Sequence, residues 1–371
     1  MVNKESNVVK PPTTPHPGEV INEYLEFHGW SQRDLANRTN LTPKTISVIC
    51  NGKASITAST AFALERVLQR PMHFWLNLQR QFDEAAIRLS DGVQSAEWKK
   101  WARKFPLDEM RKRKFSLPSA TSEVDLILRY LGVSSPESWQ TVWAKSGVAF
   151  RQTNKNQENI AAISAWVRET ELVASEIKTN VFDERRFRSL IQEIKQLTRN
   201  RTDKALKELQ PLCAQAGVAV VFVPELPLTR ISGCARWLTA KKALIGLSSR
   251  YKTDDQMWFS FFHEIGHLLL HKKIRSFVLD NDTHDLWDTD VDLEMETCEV
   301  EANRFAADTL LPAIDLAEFV RQESLTNDAI VDFAERMNIS PGIVVGRLQK
   351  IGILDPSERN ALKQKLFLES S

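Results

Sequence analysis

The segment FSFFHEIGHLLLH (259–271) constrains this chain more than any other. Its two histidines stand four apart inside an apolar run. On an α-helix, positions i and i+4 share a face, so His263 and His267 can hold one metal ion together. Glu264 flanks the same point and can accept a proton from water there. The aromatic and aliphatic flanks predict a buried helix. Gly266 is expected to leave room for a strand or a substrate to approach it.

Two histidines do not complete a site. His271 lies eight residues beyond His263, which is about 12 Å along a helix axis, so it is read as a supporting residue rather than a ligand. The segment ETCEVEANRFAADTLLP (296–312) offers a better third ligand. Glu299 and Asn303 are again i, i+4. Glu299 can reach the ion, and the Asn303 amide oxygen can accept the N–H of a ligand histidine. The pattern resembles the thermolysin-type arrangement, with an amide in place of its orienting acid. Glu301 lies about 200° round the helix from Glu299 and is expected to point elsewhere. Glu296 is the fallback. The expected cofactor is zinc.

Three apolar runs precede the histidine helix. GVAVVFVP (217–224) is a continuous β-branched run closed by proline, the mark of a buried strand. ISGCARWL (231–238) and KALIGLSS (242–249) read as two more strands. A short sheet followed by a helix over 254–271 predicts a small α+β domain spanning 206–371, and with the histidine pair on that helix the domain resembles the zincins. Residues 272–297 are acid-rich and expected to form a loop, with helix from Glu299 to the end. Within that tail, IVDFAERMNISPGIVVGRLQKIGIL (330–354) has the pattern helix, turn at Asn338 to Pro341, helix. Ile343, Val344, Val345 and Leu348 make its second helix too apolar for a DNA face, so it is expected to pack on the domain.

The chain before residue 206 reads as helix. Residues 91–205 are expected to form a helical connector, with Trp98, Trp101 and Phe105 as a core-facing stripe and MRKRKF (110–115) as a solvated basic loop. Residues 16–90 carry shorter helices, and 1–15 are polar and Pro-rich, a disordered leader. The fold class is therefore mainly α with a small α+β domain.

Composition sets limits on partners. The 371 residues suggest two or three domains, at roughly 150 residues each. The net charge of +1 means that any nucleic-acid contact must come from a local patch. The four cysteines, Cys50, Cys213, Cys234 and Cys298, form no CxxC pair, as expected of a protein in a reducing cytosol. The first residues lack the apolar stretch of a signal peptide. No run reaches the roughly 18 apolar residues that span a bilayer. A soluble, cytoplasmic protein with no membrane partner is expected.

Residues 31–51, SQRDLANRTNLTPKTISVICN, encode two capped helices. Ser31 and Asp34 form a capping box. Asn40 ends the first helix, Thr42 caps the second, and Pro43 occupies its first position. Ile46 and Ile49 face inward. This is a helix-turn-helix, whose second helix can enter the major groove. Lys44, Thr45 and Ser47 then point toward base edges or phosphates. Gln32 would contact the backbone, and Asn51 and Lys53 would hold phosphate. Cys50 is read as a small buried residue.

Two resemblances extend these readings. Residues 16–83, with HPGE, SQRDLA, NGK before ITA, and FWLNLQ, resemble the HigA-type antitoxin branch of the XRE-like regulators. That resemblance implies a five-helix bundle that dimerises on a palindromic double-stranded operator. Residues 215–312 resemble the ImmA/IrrE metallopeptidases, through ISGCARW, RYKTDDQMWFSFFHEIGHLLLH and the E-x-E-A-N-R-F-A-A-D-x-L-L-P pattern. Members are thought to cleave helix-turn-helix repressors or antitoxins. The resemblance therefore implies a zinc endopeptidase acting on a partner regulator. Cys234 departs from the pattern, where a small or hydroxylic residue is expected. Its thiolate could ligate zinc, although an inert buried thiol is the preferred reading. A competing reading keeps the regulator and drops the catalysis: an antitoxin or repressor whose peptidase-like domain is a sensor.

Overall fold

The computed structural model describes residues 14–92, 96–144, 157–271 apart from 228, 230, 249 and 251, then 276–280, and 290–366 apart from 323. The expected leader lies almost wholly outside them. The chain divides into two compact units, one ending at Glu97 and one beginning at Trp98.

Among the described residues, the first unit contains five helices: α1 (Pro17–His28), α2 (Gln32–Thr39), α3 (Pro43–Cys50), α4 (Ala58–Leu68) and α5 (Met72–Gly92). Its boundaries are written locally. His16 caps α1, and Glu19 bonds back to it to close a capping box. Ser31 and Asp34 do the same for α2, Asn40 ends it in the left-handed region at φ 55°, and Thr42 caps α3. Ile21, Leu35, Ile46, Ile49, Leu64 and Trp75 form the core. Cys50 is buried at the end of α3, as expected of a small apolar filler.

The second unit is built on a mixed four-stranded sheet of β1 (Val218–Val223), β2 (Ile231–Thr239), β3 (Lys242–Ser248) and β4 (Ser276–Asp280), ordered β1-β3-β2-β4. β1 runs parallel to β3, whereas β2 is antiparallel to both β3 and β4. Before the sheet come α6 (Ala96–Ala102), α7 (Leu107–Lys112), α8 (Glu123–Leu131), α9 (Pro136–Trp139), α10 (Gln157–Glu176), α11 (Glu184–Leu197) and α12 (Thr202–Ala214). After β3 come α13 (Asp254–Leu270), α14 (Asp290–Leu310), α15 (Ala313–Gln322), α16 (Asn327–Met337) and α17 (Pro341–Lys350).

Helices cover both faces of this sheet, which explains why its strands read as continuous apolar runs. Val218, Val220, Ala235 and Ile245 enter one core with α11, α12, α13 and α17. Ala219, Val221, Val223, Cys234 and Leu244 enter a second core with α8 and α10. The helices expected as a separate connector over 91–205 thus share their cores with the sheet. The sequence shows a change of texture near residue 211 but cannot show which earlier helices fold back. Trp101 and Phe105 are buried in the second core, and Trp98 packs against it. The basic run 110–115 is the end of α7 and the turn after it. Met110 and Phe115 anchor it in that core, and Arg111 and Arg113 pair with Asp108 and Glu109.

Two further corrections concern the second half. The loop expected over 272–297 contains β4, and α14 begins at Asp290 rather than near Glu299. Main-chain pairing to β2 overrides the polar composition there. The chain also leaves helix after Lys350. Its end forms a short 3₁₀ turn over Asn360–Leu362 and a bridge from Lys365 to Thr253. α16 and α17 have helix-turn-helix geometry, yet Ile343, Val344, Val345 and Leu348 are buried in the first core, where α17 packs against α13. No helix among the described residues is long and apolar enough to cross a membrane.

Candidate metal centre and nucleic-acid interface

α13 is buried along most of its length, with Phe261, Phe262, Ile265 and Leu268 in the first core. The acid-bearing α14 lies against it. Gly266 makes this possible: a Cβ there would stand 3.0 Å from the Ala302 Cα. The expectation that Gly266 admits a strand or substrate is therefore corrected, because the space it frees is filled by the neighbouring helix.

That close approach brings His263, His267 and Glu299 together, with one ligand atom of each within 4.8 Å of the others. The two Nε2 atoms are 2.8 Å apart, and the Glu299 oxygens lie 3.3 Å from His263 Nε2 and 3.4 Å from His267 Nε2. His263 Nδ1 is 3.0 Å from Asn303 Oδ1. An amide oxygen only accepts, so the His263 proton sits on Nδ1 and its Nε2 lone pair faces the cluster. His267 Nδ1 meets His271 Nδ1 at 3.2 Å, and His271 Nε2 meets Glu301 Oε2 at 2.8 Å. His271 therefore stands behind a ligand candidate and does not join the cluster. Glu301 points away from the cluster, as its helical position predicts. That it ends on His271 is a contact the sequence reading missed, although the spacings Glu299-x-Glu301 and His267-x₃-His271 were both in view. Glu296 lies among residues whose side chains are outside the description.

His267 and Glu299 are in the form a cation needs. Burial lowers the His267 pKa to about 4, reinforced by neighbouring His263, so the ring is neutral. Burial pushes Glu299 upward, but the adjacent His263 and His267 rings outweigh it and hold the carboxyl below its usual range. Two imidazole lone pairs and a carboxylate converging on one buried point form a set of acceptors without a donor. A divalent cation satisfies all of them, and N₂O donors of this kind suit zinc.

Glu264 occupies a different environment. It is 0% exposed, and neither of its carboxylate oxygens has a hydrogen-bond partner among the described residues. Burial, then the charge of Glu299, pushes its pKa well above the usual carboxylate range. It rests on β2 at Gly233, where a Cβ would come within 2.7 Å of Oε1. The next residue, Cys234, faces the opposite side of the sheet. Its Sγ lies 3.7 Å from Thr170 Oγ1 on α10, and burial raises the thiol to about 12. The strand's alternation thus places Gly233 under the acid and turns Cys234 away from the cluster.

In the first unit, the residues read as DNA-facing run from the start of α2 at Gln32 along α3 to Lys53 just beyond it. Lys44, Asn51 and Lys53 are exposed, and Gln32, Thr45 and Ser47 are half-buried. Thr45 Oγ1 is 2.8 Å from Thr42 Oγ1, and Asn51 Nδ2 donates to the Ser47 carbonyl at 2.8 Å. These local bonds hold both polar side chains against their own helix.

Comparison with known proteins agrees with this division. The family description of Peptidase M78, the IrrE N-terminal-like domain, matches residues 213–349, and a helix-turn-helix family matches residues 21–75. Among curated proteins, the chain is similar to the HTH-type transcriptional regulator YddM of Escherichia coli K12. The identity is 35% over 71 residues, covering 19% of this chain and 76% of the relative. The virulence-associated protein A' of Dichelobacter nodosus is 32% identical over 74 residues, 20% of this chain and 64% of that protein. Among solved structures, an addiction module antidote protein of the HigA family from Coxiella burnetii is 35% identical. It covers 21% of this chain and 87% of that one, at a TM-score of 0.21. The chain belongs to the XRE-type helix-turn-helix regulators and carries an IrrE-like peptidase domain behind its regulator domain.

Proposed function

We propose that this protein is a DNA-binding regulator whose second unit is a zinc-dependent endopeptidase acting on a partner repressor or antitoxin. His263, His267 and Glu299 would hold the zinc, and Glu264 would be the general base. One observation carries the reading: the unpartnered, fully buried Glu264 carboxylate stands beside a three-ligand cluster, and no fourth protein ligand joins it among the described residues. Structural zinc sites are closed by four protein ligands, whereas catalytic sites keep a position open.

Bound zinc would supply Lewis-acid polarisation of a peptide carbonyl and lower the pKa of water. The Glu264 carboxylate takes the proton of the attacking water as its oxygen bonds to the carbonyl carbon. Glu264 then delivers that proton to the departing amide nitrogen as the C–N bond breaks. Asn303 and His271 keep the two imidazoles turned with Nε2 toward the cluster. In the first unit, Lys44, Thr45 and Ser47 would face the major groove, with Gln32, Asn51 and Lys53 on phosphates, in a homodimer on a palindromic operator.

The deciding variant is Glu264→Gln. It keeps the shape of the side chain but cannot take a proton at neutral pH. Zinc content should stay at about one per chain while cleavage of the partner regulator falls by about 10²–10⁴. Fully normal regulation in cells carrying only Glu264→Gln would overturn the peptidase reading in favour of the sensor.

A further inference from the structure

We propose that Glu301 is a positioning residue for the metal centre, acting through His271 to fix the imidazole of His267. The inference rests on the zinc reading above and adds a device to it. His271 ends α13, and its main-chain N–H donates to the His267 carbonyl at 3.1 Å. Its ring bridges His267 Nδ1, at 3.2 Å, and Glu301 Oε2, at 2.8 Å.

The direction of the chain follows from donor chemistry. A carboxylate oxygen accepts, so the neutral His271 ring that meets Glu301 Oε2 places its proton on Nε2. Its Nδ1 is then a bare acceptor, and the proton of His267 must sit on Nδ1 to donate to it. His267 Nε2 is left with its lone pair facing His263 and Glu299. Without the relay, the His267 proton could occupy Nε2 and block the ligand position.

The two histidines are thus served differently. His263 has Asn303 in direct contact, a neutral acceptor. His267 has a two-step chain that ends in a charge. α14 supplies Asn303, Glu299 and Glu301, and the rotation between residues 299 and 301 sends one acid to the cluster and the other to the end of α13. The Glu301 side chain is 54% exposed while that of His271 is 6% exposed. Solvent therefore screens the acid, and the expected effect is modest.

The test is zinc affinity of the full chain, measured by competition with a chromophoric chelator, with the melting temperature of the metal-free protein as a control for folding. Glu301→Ala should weaken zinc binding about tenfold, at the lower end of what such supporting contacts carry. Glu301→Gln keeps an acceptor oxygen and should stay within about threefold of wild type. His271→Asn places an amide oxygen where Nδ1 stood, so it accepts from His267 directly. In that background Glu301→Ala should have no further effect. Unchanged affinity in Glu301→Ala overturns the proposal. So does a tenfold loss that persists in the His271→Asn background, because Glu301 would then act by another route. A wild-type chain that binds no zinc overturns the zinc reading itself and the relay with it, an outcome distinct from the other two.

Discussion

The two units keep their candidate functional side chains in opposite ways. On the helix-turn-helix, Lys44, Asn51 and Lys53 stand in solvent. In the second unit, His263, Glu264 and His267 are at most 1% exposed. His263 and His267 are also held by side chains from α14, an element that starts outside α13 in sequence. An exposed contact costs the fold little when it is removed. A buried one is part of the packing, and its loss reaches the metal and the fold together. The contrast predicts which substitutions separate function from stability and which cannot.

The largest effect should come from the buried ligands. His263→Ala or His267→Ala removes one of three donors and should reduce zinc from about one per chain to a trace, read by elemental analysis after gel filtration. Full retention in both variants would break the metal assignment. Glu299→Gln keeps the volume but replaces an anionic oxygen with a neutral one. Its zinc affinity should fall by roughly 10–100-fold, with activity following. Wild-type affinity there would move the third ligand to Glu296.

The exposed site should give the converse. Replacing Lys44 and Thr45 together by alanine should weaken operator binding by about tenfold and reduce its salt slope by about 1. Melting temperature and zinc content should not change. The Thr45 main-chain N–H still reaches the Thr42 hydroxyl at 3.0 Å, so α3 keeps its cap. Unaltered binding in a gel-shift assay would remove α3 from the interface.

The same contrast sets what could be read from the sequence. The helix-turn-helix of the first unit was legible almost to the residue, because the Ser31–Asp34 capping box, Pro43 at the first helical turn and Asn40 are local chemistry, whereas the bounds of α1, α4 and α5 were not read. The HEIGH helix and three strands were legible from periodicity. What escaped depends on contacts far apart in the chain. β4 exists because β2 has an edge to pair with, through Cys234↔Val278 and Ala235↔Phe277. The helices over 98–176 belong to the sheet because Val221 and Leu244 need a second cover. At the site, pattern alone marked Glu299 and Asn303 for the cluster. It could not show that Glu301 meets His271, since that contact requires knowing where α13 ends against α14.

Acid should separate the units by sign. Asp34 is held below the usual carboxylate range, first by the Ser31 hydroxyl and then by its main-chain N–H. A lowered folded pKa adds stability above the unfolded value, and this is lost as pH falls through about 4 and below. Asp254 is the reverse. It is 0% exposed, and burial raises its pKa, although Ser340 Oγ donates to it at 2.5 Å and the Gln364 main-chain N–H at 2.9 Å. A raised folded pKa favours the protonated form, so its contribution is fully present below the unfolded value and is lost as pH rises through the folded one. Wild type should therefore lose stability relative to Asp34→Asn on acidification below about pH 4, and gain relative to Asp254→Asn as pH falls from 7. The same sign for both pairs in unfolding titrations would break the comparison.

The smallest effect tests whether the units are energetically separate. Thr42 caps α3 through a hydroxyl that accepts from the Thr45 main-chain N–H. Thr42→Ala leaves that donor to water and should cost about 1 kcal/mol. For a unit of this size the loss lowers the melting temperature by roughly 4–8 °C. Hydrogen exchange should quicken over residues 43–50 while α13 and α14 keep their protection, and zinc affinity should be unchanged. Thr42→Ser restores the acceptor and should recover most of the loss. Operator binding should weaken only slightly, because Lys44, Thr45 and Ser47 remain and the first turn of α3 frays only part of the time. A fall in zinc affinity in Thr42→Ala would show that the recognition helix and the metal centre share a cooperative unit, and the division between an exposed, independent site and a buried, coupled one would no longer hold.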